Sequence, residues 1–462
     1  MTGQTKFETL PYRLIITRYG GNEVLLCSSP PSLPSLDVSC GGRPAEGLVT
    51  GIEWRYRLET YCLWVRHDTV ADGNSLPGND AVMEVLEQNR PAPTGMFWAP
   101  TCDAVSKVGS ACAAGIRAFI EDLERYGTDP ERAPFAQPGW IQNLLSWAGA
   151  QLPSLGLRLT GGFWQLNAGP SFSLIRLQTN RAPVWFKATG EPNAHELPAS
   201  LTLARLIPEY VPRILGVHPS WNGWLSSHVP GRLLCGLENH SAWETVAGAL
   251  ARLQVASIEK GNELPESKVR DLGTRRLAEL VDPFIDCMSR LMQVQEKQSP
   301  APLTPVELAS LRDHLSEACQ RLEDLKIPKS IGRFDLNPGN IVVSRDRVGF
   351  LDWAETYWGH PFLSFAYFVE HFRRHSPHVA FESRLRSAYA EPWEEVCAKE
   401  SVSASLAIAP LVAAFAYTVE SRNWREPEIL SDSRAAAYLR SMTRRMHREA
   451  KLLEEARPTC LS

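Results

Sequence analysis

The chain has 462 residues, of which 44% are hydrophobic and 22% charged, enough for two or three folded units with a sizeable core. That balance excludes collagenous, coiled-coil and wholly disordered chains. With 48 basic against 52 acidic residues the net charge is −4, so nothing global attracts a polyanion, and neither nucleic acid nor an acidic membrane is expected as a partner.

Residues 1–135 alternate short β-like runs (Tyr12 to Arg18, Glu23 to Cys27, Leu58 to Val65) with Pro/Gly/Ser segments such as Ser28 to Ser35, and carry an amphipathic helix near Ala111 to Tyr126. This reads as a small α+β module of unassigned role. Met1 to Glu8 lack a continuous apolar run and include an acid, so no secretory peptide is expected. A Pro-rich passage, Pro130 to Pro138, marks a seam, followed by a linker helix within 136–155. Residues 156–230 then read as strands: Phe172 to Thr179 and Pro183 to Thr189 form a hairpin around Asn180-Arg181-Ala182, and Gly223 to Val229 is another strand.

From 231 to 462 helices dominate, with helical patterns at about 268–296, 362–374, 404–421 and 434–455. Ser241 with Glu244 and Thr304 with Glu307 have capping-box spacing. The apolar stretch Ala404 to Val419 is shorter than the ~20 residues a bilayer requires and contains Pro410, so it reads as a buried helix. A β-rich segment followed by a helix-rich one is an α+β order with two lobes, and a ligand is expected between them.

The ten cysteines show no C-x-x-C or compact Cys/His spacing, which argues for reduced thiols, a cytoplasmic setting and no structural zinc. His228, His240, His371, His375 and His378 form no metal-like set with carboxylates, and no G-x-S-x-G elbow occurs. Arg440, Arg444, Arg445 and Arg448 sit at helical spacing and read as a solvated face balanced by Glu449, Glu454 and Glu455.

The most informative stretch runs Gly332-Arg333-Phe334-Asp335-Leu336-Asn337-Pro338-Gly339-Asn340, followed by Leu351-Asp352-Trp353. Asp335, Asn340 and Asp352 supply hard oxygen ligands around a loop and hairpin, a set that suits magnesium. This stretch resembles the aminoglycoside phosphotransferase and choline kinase group, whose catalytic loop runs like H-G-D-L-H-P-G-N, with an I-D-W-like strand end after it. The resemblance implies a bilobal protein-kinase-like fold, with a β-rich N-lobe and a helical C-lobe, preceded here by the small α+β domain. It also implies that Asp335 orients and deprotonates an acceptor hydroxyl, while Asn340 and Asp352 hold magnesium against the phosphates of ATP or GTP. Arg333 stands where the group usually has His. His360 and Ser364, in Trp358-Gly359-His360-Pro361-Phe362-Leu363-Ser364, replace both acids of its G-D-P-x-x-D run. The early Cys40-Gly41-Gly42 turn is similar to the Nudix layout, but the acidic cluster of those hydrolases is absent around Glu46 to Tyr61, so no such catalysis is assigned.

Upstream, Val184-Trp185-Phe186-Lys187 places a lysine in an apolar strand, with Trp185 on its face. The resemblance makes Lys187 the phosphate-binding lysine and Glu196 its ion-pair partner, with Glu191 a near competitor. Gly169, Ser171 and Ser173 precede or open the hairpin and could cover phosphates. Ser227 and His228 fall where the resemblance puts the connection that bonds the adenine edge. The expected activity is transfer of the γ-phosphoryl of ATP (or GTP) to the hydroxyl of a small molecule. The alternative is a kinase-shaped, weak or inactive nucleotide-binding regulatory protein. The acceptor and the oligomeric state are left open; a polycationic aminoglycoside is disfavoured because residues 370–390 mix Glu370 and Glu382 with Arg373, Arg374, Arg384 and Arg386.

Overall fold

The computed structural model describes residues 9–39, 43–67, 79–126, 134–169, 171–263, 269–376, 381–420, 423–426, 429 and 432–456. The Cys40-Gly41-Gly42 turn and His378 lie outside the described residues. The fold is α+β, and the chain divides into two units: residues 1–197 with 213–228, and residues 198–212 with 229–462.

The first unit holds a seven-stranded sheet and a five-stranded one. In the larger sheet, strand Thr9–Arg18 runs parallel to Asn79–Val85 and antiparallel to Glu23–Ser28 and Ser35–Ser39. Alternation along Thr9–Arg18 sends Tyr12, Leu14 and Ile16 to one face, where they pack with Leu48 and Ile52 of helix Pro44–Tyr56. Ile15 goes to the other face, into a core that also contains Ile116, Phe119, Trp140 and Leu144.

That same core takes Ile175, Leu177, Val184, Phe186 and Leu225 from the five-stranded sheet. The N-terminal strands and the hairpin sheet are thus covered by one apolar cluster. Polar groups join them as well. The Gln165 side chain donates to the carbonyl of Cys62 and accepts from its amide, at 2.8 and 2.7 Å, so it acts as a substitute partner on edge strand Thr60–His67. Glu84 accepts from the Tyr61 hydroxyl and from the Gly139 amide, the latter at 2.6 Å.

The five-stranded sheet is antiparallel throughout, in the order Ile214–His218, Gly223–Ser227, Val184–Thr189, Phe172–Thr179, Leu159–Asn167. Val184, Phe186 and Ala188 face the core, so Trp185 and Lys187 face the other way. A one-residue slip would drive Lys187 into the apolar cluster, and the register is fixed accordingly.

The second unit is built from helices His240–Ser257, Thr274–Gln293, Pro305–Asp324, Phe362–His375, Glu382–Glu394, Lys399–Glu420 and Ser433–Glu455 around two small sheets. Thr304 and Glu307 form the expected capping box. The helix near Ser241 is capped two residues earlier than expected: Asn239 is its N-cap, accepting from the Ser241 amide, because Asn serves as well as Ser in that role. The apolar helix is also longer than its hydrophobic stretch, 22 residues from Lys399 to Glu420, long and apolar enough to span a bilayer. Its Ile408, Leu411, Val412 and Phe415 are instead packed in the unit's interior.

Candidate active site

In the first unit, Lys187 sits mid-strand, opposite Leu174 and Trp224. Its Nζ lies 2.5 Å from Oε1 of Glu196, the first residue of helix Glu196–Leu206, and 4.9 Å from the Phe172 ring centroid. The lysine side chain is 11% exposed and the carboxylate 2%, so this pair is held in dry surroundings. Glu191, the competing acid, is exposed.

The turn before the hairpin has two characters. Gly169 has φ +148° and open space where a Cβ would stand, and the Ser171 carbonyl accepts from the Gly190 amide at 2.9 Å. Ser173 is fully buried, and its hydroxyl faces the Asn167 carbonyl at 3.4 Å. It closes the turn and is not presented to a ligand, contrary to its reading as a phosphate contact. Ser227 exchanges bonds with Arg213: its amide donates to the Arg213 carbonyl and its Oγ accepts from the Arg213 amide. His228 accepts from the Trp185 indole at 3.3 Å, and partial burial, with Arg176 adding to it, lowers its pKa.

In the second unit, the loop after strand Ser330–Arg333 carries Asp335. Asn337 Oδ1 accepts from the Gly339 amide and starts the turn Pro338–Asn340. That turn delivers Asn340, whose Nδ2 donates to Asp335 Oδ2 at 2.7 Å. The Leu351 amide donates to the Asn340 carbonyl at 2.8 Å, which fixes the approach of the next residue, Asp352. Asp352 has φ +63°, a left-handed conformation that costs a non-glycine residue of order 1 kcal/mol or more and concentrates at functional sites.

The unusual positions have identifiable tasks. Arg333 is 1% exposed; its guanidinium lies 5.0 Å from the Trp353 ring, and its amide donates to Ser364 Oγ at 2.8 Å. Ser364 thus anchors the loop as a neutral acceptor, and it also bonds the Tyr357 hydroxyl at 2.8 Å. His360 is 3% exposed, and burial lowers its pKa to about 3, so it is neutral too. The positive charge gained at Arg333 accompanies two negative charges absent from positions 360 and 364.

Several residues around Asp335 escape sequence reasoning. Glu355, three positions past Asp352, is raised in pKa first by burial and then by the Asp335 charge, with Arg270 and Arg333 opposing. Phe334, Tyr367 and Tyr417 form a ring cluster with centroids 5.0 to 5.6 Å apart. Burial raises the Tyr417 hydroxyl, and Glu355 adds to that rise. Only Glu355 carried a local signal, an acid close behind the Asp352 strand end. Tyr417 lies on a helix distant in sequence.

Among the described residues no group of three or more His, Cys, Asp or Glu could hold a metal by itself. Asn340 and Asp352 nonetheless fit magnesium, which prefers hard oxygen and commonly takes one or two protein groups together with substrate phosphates.

Residues 195–398 match the model of the phosphotransferase enzyme family, and over this segment the resemblance read from Asp335 to Trp353 is borne out. The match supports a phosphotransferase acting on a small molecule. No curated protein matches the chain. Among solved structures, choline kinase from Cryptosporidium parvum Iowa II is 11% identical, covering 68% of this chain and 96% of its own, with a TM-score of 0.47. A choline/ethanolamine kinase family protein from Mesorhizobium loti is 13% identical (68% and 99% covered, TM-score 0.42). A spectinomycin phosphotransferase solved with ADP and spectinomycin is 12% identical (68% and 98%, TM-score 0.40).

Proposed function

We propose that this protein transfers the γ-phosphoryl group of ATP or GTP to a hydroxyl of a small molecule. The observation that carries the reading is the Asp335–Asn340 hydrogen bond, with Leu351, the residue before Asp352, bonded to the Asn340 carbonyl, inside the segment that matches the phosphotransferase family. Asp335 Oδ2 is held by Asn340, and Oδ1 is the atom we assign to the acceptor's proton. As the acceptor oxygen bonds the γ-phosphorus and the bond to the leaving nucleoside diphosphate breaks, that proton passes to Asp335. Asn340 and Asp352 would hold magnesium, which supplies charge neutralisation at the phosphates. Lys187, kept oriented by Glu196, would bind the nucleotide's phosphates, with Gly169 and Ser171 covering them and the Ser227–His228 backbone bonding the base. Phe334, Tyr367, Tyr417 and Glu355 are the groups we assign to the acceptor's surroundings. A cytoplasmic setting, where nucleotide and reduced thiols coexist, belongs to the same proposal.

The test is ADP release, with ATP and magnesium, over a library of alcohols, amino alcohols, sugars and antibiotics. Acceptor-dependent release that disappears in Asp335→Asn supports the assignment; release that survives it removes Asp335 as the base. Magnesium-dependent nucleotide binding without turnover over the whole library would favour the second reading, a nucleotide-binding regulatory protein, which the buried Arg333 motivates.

A further inference from the structure

Helix Pro44–Tyr56 ends at Arg57, whose left-handed backbone (φ 56°) lets its amide cap the Glu53 carbonyl at 3.0 Å. The reversal returns Glu59 and Thr60 alongside the helix. A groove of about 240 Å³ lies between this helix, the start of strand Thr60–His67 and strand Leu159–Asn167. Among the described residues its lining includes three carboxylates, Glu46, Glu53 and Glu59, and no basic side chain.

Two further features point to a ligand. Trp164 is 51% exposed, and its indole donates to Glu46 Oε1 at 3.1 Å, which fixes an aromatic surface beside that acid. Thr60, also in the lining, is 2% exposed, and its Oγ1 has no hydrogen-bond partner among the described residues. Thr60 shares a strand face with Cys62, which packs with Leu48 and Ile52 of the helix, so its side chain is on the groove's side of the strand. A buried hydroxyl left unpaired is unfavourable, a cost that a bound polar group would relieve.

The carboxylates are not gathered as a metal would require, since no described group of three acids, His or Cys could hold an ion. Separated acids beside an exposed indole suit an extended organic cation: ammonium groups pair with the acids, and one end or the alkyl chain lies against the ring. We propose that this groove is a binding site for a small aliphatic diamine, distinct from the residues assigned to phosphoryl transfer.

The test is calorimetric titration of the full-length protein with 1,5-diaminopentane at low salt, with 1,5-pentanediol as the neutral control of equal length. The expected result is saturable diamine binding, no diol binding, and affinity at least about tenfold weaker in the Glu53→Gln/Glu59→Gln variant. Both glutamates are exposed, so that variant should keep the parent melting temperature without ligand. Thr60→Val, which keeps the shape and deletes the hydroxyl, should weaken binding as well. Absence of saturable heat up to about 10 mM, well beyond millimolar affinity, would overturn the proposal. So would diamine affinity unchanged by Glu53→Gln/Glu59→Gln, because the diamine would then bind elsewhere. Asp335→Asn should leave the titration unaltered, which separates this site's failure from that of the phosphotransferase reading.

Discussion

The guanidinium of Arg333 donates from Nη2 to the backbone carbonyl of Asp335 at 2.5 Å. A side chain two residues upstream thus grips the main chain of the proposed base, from a position 1% exposed. Replacing it with alanine leaves that carbonyl unmatched and opens a cavity under Trp353. Arg333→Ala should lower the melting temperature by a few degrees and reduce turnover at least about tenfold, read by thermal unfolding and by ADP release. A variant with parent turnover would show that the contact does not position the loop.

Asp335→Asn keeps the size of the side chain and removes its basicity. Loss of a general base typically lowers the rate by about 10²–10⁴-fold. Nucleotide with magnesium should still raise the variant's melting temperature by mass action, because binding is assigned to other residues. Loss of both together would instead indicate a collapsed loop.

The pair Lys187–Glu196 gives a sharper test of energetics. With side chains 11% and 2% exposed, removal of either partner strands a charge in dry surroundings, at a cost of about 3–5 kcal/mol. Lys187→Met and Glu196→Leu should therefore each destabilise strongly, whereas the double variant should recover much of the loss. Denaturant unfolding of the four proteins measures the coupling. Nucleotide affinity should remain impaired in the double variant even where stability returns.

His360 links stability to pH. Burial places its folded pKa at about 3, against 6.5 for the exposed side chain. Between those values the unfolded chain binds a proton that the folded chain refuses, so this contribution is fully present above about pH 6.5 and falls away as the pH drops towards 3. His360→Gln should flatten the stability profile between pH 7 and 5, read by urea unfolding at each pH. An unchanged slope would mean that His360 is solvated.

How much of this was legible in the sequence depends on distance along the chain. Asp335, Asn340 and Asp352 fall within 18 positions and announce themselves by order and spacing. Lys187 could be read because strand alternation put it opposite Val184 and Phe186, and its pairing with Glu196 instead of Glu191 needed the helix start to be located. Ser173 misled because a hydroxyl near a glycine looks the same whether it faces a ligand or its own turn. Tyr417 could not be found, since nothing local to residue 417 records that its ring meets Phe334. Gln165 was equally silent: that one amide completes the edge of a strand about a hundred residues earlier follows only from tertiary packing.

The cover over the hairpin sheet has an evolutionary meaning. Val184, Phe186 and Leu225 share one apolar cluster with Ile15, Val24 and Val82, and Phe186 meets Trp140 and Trp147 of helix Trp140–Gln151 at 6.2 and 6.1 Å, so the N-terminal strands are upholstery for the core behind Lys187 and not a detachable passenger. A lineage that discarded them would have to invent another lining for that sheet first. A chain begun at residue 136 should accordingly be recovered as aggregate.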